Sequence, residues 1–469
     1  MNRFLVLVLG LLAVSAARKR YEPNWESLDK RPLPDWYDKQ KIGIFIHWGV
    51  FSVPSFSSEW FWNCWNSGRK SCVDFIKNNY RPDWTYADFA RDFTAEFYNA
   101  TEWAKLFEDA GAHYIVFVSK HHEGFCNWPS KYSFNWNSMA VGPKRDLVGE
   151  LADAVRKHTK MHFGVYHSMF EWYNPLYEQD KANGFRTRDF VTTKTLPELY
   201  ELVNKYKPDV IWSDGEWQAS SEYWKSPEFI AWLYNDSPVR DTVVVNDRWG
   251  NETRCKHGGF WDCSDAYDPG KLQGHKWENN FPLDKSAWGY RRTMNLDSIH
   301  SIESVLTLLA RTISCGGNFL VNVGPTKSGK IIPIFEERLR QFGSWMKVNG
   351  EAVYETFPWK HQNDSLNKDA WYVARKMDQQ TNVYVFILKW PANGKLILGS
   401  LSYTSRMSIS MLGYKGSKTF SWTRNPTGGV AVNMPALSPT EIPCKWAWVL
   451  KLSNIEDDKF GGIKRISNE

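Results

Sequence analysis

The sequence predicts an α/β protein: a (β/α)8-like barrel followed by a β-sandwich. Three observations carry the prediction. From residue 41 to about 350, short apolar runs alternate with amphipathic helical stretches, the pattern of parallel strands joined by crossover helices. A polar or charged residue closes nearly every run, and barrels gather their sites at those strand ends. After Gly350 the runs become short and closely spaced, divided by Gly, Pro, Asn and Ser, as in packed antiparallel sheets. The expected organisation is a signal peptide over 1–17, a barrel over 18–350 and a β-sandwich over 351–469.

The opening "MNRFLVLVLGLLAVSAARKRY" has a basic residue, Arg3, an apolar stretch from Phe4 to Leu12, and the small residues Ser15, Ala16 and Ala17. That order is a secretory leader, too short to span a membrane, so a mature start near Arg18 and no membrane span are expected. The barrel runs follow: "IGIFIHWG", "YIVFVSKHH", "FGVYHS", "VIWSDGEW", "TVVVNDRWG" and, late, "NFLVNVGP". Between them "TEWAKLFEDAG", "DLVGELADAVRKH" and "LPELYELVNKY" read as helices. Two strands are poorly marked between residues 258 and 292, so an irregular barrel is expected there. No G-x-G-x-x-G turn follows the first run, which argues against a dinucleotide fold. The helix "PIFEERLRQFGSWMKVNG" stops at Gly350. Beyond it, "AWYVARKM", "NVYVFILKW", "KLILGSL", "RMSISML", "TFSWTR", "GVAVNM" and "WAWVLKLS" read as strands.

The chain has 469 residues, 23% of them charged, and a net charge of +6 spread along its length. It holds no finger, ribonucleoprotein or helix-turn-helix pattern, so nucleic acid is not an expected partner. Its seven cysteines suit a secretory compartment. Cys64 with Cys72, and Cys255 with Cys263, bracket short loops and are the expected disulfides; Cys126, Cys315 and Cys444 remain. Sequons stand at Asn99, Asn235, Asn251 and Asn363; Pro238 after its serine makes Asn235 the poorest, leaving Asn99, Asn251 and Asn363 as expected glycan acceptors. The oligomeric state is open, and a homo-oligomer is compatible with the sequence.

The chemistry concentrates at the strand ends. In "VIWSDGEW", Asp214 and Trp212 share one face, because alternate strand residues point the same way. Trp212 is an expected pocket wall, and Glu216 is expected to order the loop beyond the strand. His47, the pair His121 and His122, and Arg248 lie at the same rim and suit the binding of hydroxyl groups. Many of the 26 tryptophans fall in predicted loops after strands, where an apolar face with a polar edge suits a sugar. A metal site could draw on His121, His122, Glu123, Asp214 and Glu216. The spacing is wrong for zinc motifs, and no metal or other cofactor is expected. Glycoside hydrolysis needs carboxyls on both sides of the scissile bond. Asp214 and Glu216 share one side, so the second carboxyl is expected from Asp262, Asp265, Asp268 or Glu278.

Taken together, "GIFIHWGVFSVPSFSSEW", "SKHHEGFCNW", "IWSDGEW", "VVVNDRWG", "HKWE", "WGYRR" and "GGNFLVNVGPTKSG" resemble the α-L-fucosidases of glycoside hydrolase family 29, in order from about residue 21 to 350. The resemblance implies an exo-acting, retaining hydrolase that releases terminal α-L-fucose from glycans, glycoproteins or glycolipids through a covalent glycosyl-enzyme. It implies Asp214 as nucleophile and a fucose pocket of His47, Glu59, Trp60, His121, His122, Tyr166, Trp212 and Arg248. For the acid/base, Asp265 matches by loop position. Glu278 is the runner-up and is otherwise a pocket residue; it lies in "HKWENN", where Asn280 replaces the cysteine of the family's active-site signature. The alternative is a non-catalytic fucose-binding lectin on the same scaffold. A lysosomal or secreted protein is expected.

Overall fold

A computed structural model describes residues 20–377, 380–416 and 419–455; the expected signal peptide lies outside them. Seven parallel strands form one curled sheet: β1 (Ile42–Ile46), β2 (Tyr114–Lys120), β3 (His162–Ser168), β4 (Val210–Asp214), β5 (Val244–Val245), β6 (Trp277–Pro282) and β7 (Gly317–Val323). Their spatial order is β5-β4-β3-β2-β1-β7-β6. The two edges are joined by an extended segment that is not a regular strand. Gly259 N–H donates to Val245 O at 3.0 Å, and Trp261 N–H to Lys276 O at 2.8 Å. Trp261 bridges Trp277 in parallel, so residues 259–262 act as an irregular sixth stave.

Helices Ala100–Asp109, Leu147–His158, Leu196–Tyr206, Ser226–Asn235 and Ile302–Ser314 each lead into a strand. Outward-facing Ile44, Ile115, Phe117, Phe163, Val165, Phe319 and Val321 pack in a large core with all of these helices but Ser226–Asn235, which packs with Ile211 and Val245 in a separate cluster. The barrel interior is a second, tighter cluster of Tyr37, Phe45, Tyr114, Val116, Tyr166, Val210, Trp212, Val244, Phe260 and Leu320. These belong to alternate positions along each strand, as a pleated backbone requires. Tyr37, on the short helix Asp35–Gln40, plugs the barrel floor.

The poorly marked strand is β6, "WENNFP". Its inward residues Glu278 and Asn280 are polar, so no apolar run announces it. Glu278 sits deep in the barrel and is fully buried. Its carboxylate accepts bonds from the Tyr37 hydroxyl (2.7 Å), the Tyr114 hydroxyl (2.5 Å) and Trp212 Nε1 (3.0 Å).

After helix Pro333–Asn349 the chain turns antiparallel. A five-stranded sheet runs Ser408–Met411, Trp448–Ser453, Gln380–Ile387, Ala370–Met377, Phe357–Asn363, and a three-stranded one runs Lys395–Leu398, Val430–Asn433, Trp422–Arg424. Val383, Val385, Ile409 and Leu450 of the first meet Leu396, Leu398, Val430 and Val432 of the second in one core, which makes a β-sandwich. Trp345 on the preceding helix donates to Ala447 O at 2.9 Å and ties the sandwich to the barrel. Among the described residues no helix is long and apolar enough to cross a membrane.

Both expected disulfides, Cys64–Cys72 and Cys255–Cys263, are present, and Cys126, Cys315 and Cys444 are free thiols. Asn99 and Asn251 are exposed. Asn363 is half-buried, and its Nδ2 donates to Lys368 O and Ala370 O.

Candidate active site

A cavity of about 300 Å³ opens at the C-terminal ends of the barrel strands. Phe45, Tyr166 and Trp212, the top layer of the barrel interior, form its floor. Trp212 stacks on Tyr166 with centroids 5.7 Å apart, and Phe45 lies 5.2 Å from Trp212. Above the floor stand His47, Glu59, Trp60, His121, His122, Asp214, Arg248 and Asp265. Thus ten of the sequence-predicted residues meet in one cavity. Glu278 does not line it. It lies beneath Trp212 with three hydrogen-bond donors on its carboxylate, and burial pushes its pKa up despite those bonds. As acid/base or as pocket residue it is out of reach, because the β6 position that faces the cavity is Asn280, two residues further up the strand.

Asp214 ends β4 and is 8% exposed. Its Oδ2 accepts from the Tyr166 hydroxyl at 2.9 Å, and its Oδ1 from Arg248 Nη1 at 3.0 Å. Burial opposes its ionisation, but Arg248, Arg254 and the Tyr166 hydroxyl outweigh it, and the carboxyl is held below its ordinary range. It is therefore a carboxylate at neutral pH. Gly215 follows with φ +78°, and a Cβ there would lie 2.4 Å from the Phe170 ring. Only glycine makes this turn, which ends the strand and leaves Asp214 at the cavity edge.

Arg248 is a planar fork between carboxylates. While Nη1 holds Asp214, Nη2 holds Asp262 Oδ1 at 2.6 Å and Asp265 Oδ1 at 2.8 Å, and the guanidinium carbon lies 4.7 Å over the Trp212 ring. Of the candidate second carboxyls, Asp262 is fully buried behind Arg248, and Asp268 pairs with Arg311 at 3.0 Å. Only Asp265 lines the cavity, with its side chain 67% exposed.

The histidines present acceptors. Asn322 Nδ2 donates to Trp288 O, which leaves its Oδ1 to accept from His47 Nδ1 at 2.7 Å. Ser168 Oγ donates to Phe170 O and so accepts from His122 Nδ1 at 2.7 Å. These networks fix the protons on Nδ1 and leave Nε2 as an acceptor, which in His122 lies 3.6 Å from Asp214 Oδ2. Burial first, then the neighbouring His121, lowers His47 to about 3. Burial and the other two histidines push His122 well below its ordinary range. Both rings are neutral and suited to hydroxyl donors. His121 Nδ1 donates to Glu123 Oε2 at 3.2 Å. Glu59 is oriented by the backbone N–H groups of Trp288 and Gly289 at 2.9 and 3.0 Å.

Five lining residues escaped the site reading: Phe45, Trp217, Arg254, Asn280 and Trp288. Phe45 lies two residues before His47, so strand alternation could have placed it. Trp217 and Trp288 stand in quoted motifs. Arg254 carries no local signal; the loop closed by Cys255–Cys263 brings it in. Among the described residues, the one close group of metal-type donors is Asp247, Cys255 and Cys263, whose sulfurs are joined in a disulfide and offer no thiolate. The residues weighed as metal ligands form two close pairs, His121 with Glu123 at 3.2 Å and His122 with Asp214 at 3.6 Å, but no group of three among the described residues.

The cavity's paired carboxylates, neutral acceptors and aromatic floor match what sequence comparison returns. A family model described as alpha-L-fucosidase matches residues 9–351, and one described as the alpha-L-fucosidase C-terminal domain matches residues 362–453. The chain is 52% identical over 453 residues to a plasma alpha-L-fucosidase of Rattus norvegicus, covering 96% of this chain and 97% of that one. It is 51% identical to an alpha-L-fucosidase of Branchiostoma floridae, covering 96% and 99%. A crystal structure of a Thermotoga maritima alpha-fucosidase with a mechanism-based inhibitor superposes with a TM-score of 0.78 at 31% identity, covering 93% of this chain and all of that one. With sequence, fold and site in agreement along almost its whole length, the chain belongs to the alpha-L-fucosidase family of glycoside hydrolases.

Proposed function

We propose that the protein removes terminal α-L-fucose from fucosylated glycans, glycoproteins or glycolipids, with retention of configuration, through a covalent fucosyl-enzyme. The observation that carries this reading is the Arg248 fork, which joins the buried carboxylate of Asp214 to the solvent-facing carboxylate of Asp265 across the cavity. Retaining glycosidases hold their two carboxyls about 5–5.5 Å apart, and a pair that shares one guanidinium is close enough for that chemistry. A cavity of about 300 Å³ closed by an aromatic floor suits a single chain-end sugar. No observation favours the lectin alternative, since both carboxylates are present.

Asp214 attacks the anomeric carbon as the bond to the leaving oxygen breaks. Asp265, protonated and released from Arg248 when the sugar is seated, gives its proton to that oxygen. Water then attacks the anomeric carbon of the fucosyl ester, Asp265 takes the water's proton, and the bond from that carbon to Asp214 breaks, releasing Asp214 as carboxylate. The Tyr166 hydroxyl and Arg248 hold Asp214 ionised before attack and stabilise it as it leaves. His47, His121 and His122 receive sugar hydroxyls. Phe45 and Trp212 supply the apolar surface against which the C5 methyl of fucose rests. Two disulfides support a secretory-pathway protein, lysosomal or secreted, and the exposed Asn99 and Asn251 are its proposed glycan acceptors.

Azide separates the two carboxyl roles. With an aryl α-L-fucoside, Asp265→Ala should be rescued by azide to give α-fucosyl azide, and Asp214→Ala to give the β product. The same anomer from both variants, or no rescue of Asp265→Ala, would overturn the assignment.

A further inference from the structure

The mechanism above leaves Glu216 unused. It is fully buried, two residues beyond Asp214, and it is not a surface loop residue. Its Oε1 accepts from Arg254 Nε at 2.5 Å, and its Oε2 has no hydrogen-bond partner among the described residues. Leaving half a carboxylate unsatisfied in the interior is costly, so one strong bond to an arginine must account for its place.

Arg254 carries the consequence to the reacting group. Its side chain is 31% exposed, its Nη2 lies 3.8 Å from Asp214 Oδ1, and its guanidinium carbon is 5.8 Å over the Trp217 ring. Arg248 holds Asp214 Oδ1 by a direct bond, whereas Arg254 acts on the same oxygen through space. It is fixed on one side by Glu216. On the other, Cys255 is bonded to Cys263 and its N–H donates to Asp247 Oδ2 at 2.7 Å.

We propose that Arg254 is a positioning residue for the reaction, an electrostatic partner held by Glu216 that keeps Asp214 ionised before attack. The inference rests on Asp214 being the nucleophile. An opposite charge within about 4–6 Å lowers a carboxyl pKa by roughly 1–3 units, less where solvent screens it. Among the groups facing Asp214, Arg248 is the stronger influence and Arg254 the next. Glu216 is itself raised, first by burial and then by Asp214, so in acid it tends to lose its own charge while still accepting the Arg254 bond.

The test is the acid limb of kcat/KM, which reports the free-enzyme nucleophile. Removing a nearby cation raises the Asp214 pKa, so the limb should move to higher pH, by roughly one unit in Arg254→Met, and stay in place in Arg254→Lys. Glu216→Gln is decisive by sign. If Glu216 anchors Arg254, the limb moves up, as in Arg254→Met. If Glu216 acts only as a negative neighbour, its loss moves the limb down, and the anchoring role falls. A folded Arg254→Met with an unmoved limb would overturn the proposal altogether. Titration of the Asp214 carboxyl by carbon NMR reads the same shift without turnover, so an inactive variant still tests it. Label trapped on a residue other than Asp214 would instead defeat the functional reading on which it rests.

Discussion

Glu278→Ala separates two readings of one carboxylate. Within the barrel, the substitution strands three donors, the Tyr37 and Tyr114 hydroxyls and Trp212 Nε1, that now meet at 2.5–3.0 Å. Each buried donor left without an acceptor costs about 1–3 kcal/mol, but relief of the buried carboxylate and rotation of the two hydroxyls offset part of that. The net loss should be about 3 kcal/mol of folding stability, and the milder Glu278→Gln about 1 kcal/mol, since it keeps an acceptor. Urea denaturation with equal m-values would measure both. Activity should change far less. Loss of an acid/base group costs about 10²–10⁴ in rate, whereas the folded fraction of Glu278→Ala should stay within about tenfold of wild type on an aryl α-L-fucoside, because only the underside of Trp212 is disturbed. A stable Glu278→Ala that loses activity and regains it in azide would refute this reasoning and make Glu278 the acid.

Two further outcomes follow from the same geometry. His47, lowered to about 3, should show neutral-ring NMR shifts across about pH 5–8. Its folded pKa lies below the unfolded one, so protonation favours the unfolded chain. Its stability contribution is intact above about pH 6.5 and is lost as pH falls toward 3, at up to about 1.4 kcal/mol per unit; His47→Asn should flatten that slope, and an unchanged slope would contradict the assignment. The Cys255–Cys263 disulfide, with a sequence separation of 8, stands between Arg254 and Asp265. Its loss in Cys255→Ser/Cys263→Ser should cost about 2–3 kcal/mol and lower kcat/KM of the folded enzyme at least about tenfold; unchanged kcat/KM would show that the loop needs no such tether.

Much of the fold is legible because β1 to β5 and β7 bury apolar residues outward against helices, leaving runs such as "YIVFVSKHH". β6 and the stave at 259–262 are not legible. The first turns Glu278 and Asn280 inward, and the second joins its neighbours by a few backbone bonds without regular alternation. The site was legible where a strand end carries it: His47, His121, Tyr166, Asp214. Arg254 was not, because it stands in an irregular loop closed by the Cys255–Cys263 disulfide, with no strand or helix period to place it. Glu278 misled for a related reason. It stands in a quoted motif, but its height along β6, and hence whether it meets sugar or barrel floor, depends on a register that only the pairing Glu278↔Asn318 reveals. The expectation that Glu216 orders the loop is sharpened by its bond to Arg254.

The central claim is that Asp214 forms a covalent bond to the sugar. Incubating the enzyme with a 2-deoxy-2-fluoro-fucosyl fluoride should slow turnover of the intermediate enough for mass spectrometry of its peptides. The account predicts one fluorofucosyl group per chain, carried by Asp214, with α-fucose as the first product formed from an ordinary α-L-fucoside. Label on Glu216 or Asp265, or β-fucose formed first with no label at all, would contradict it.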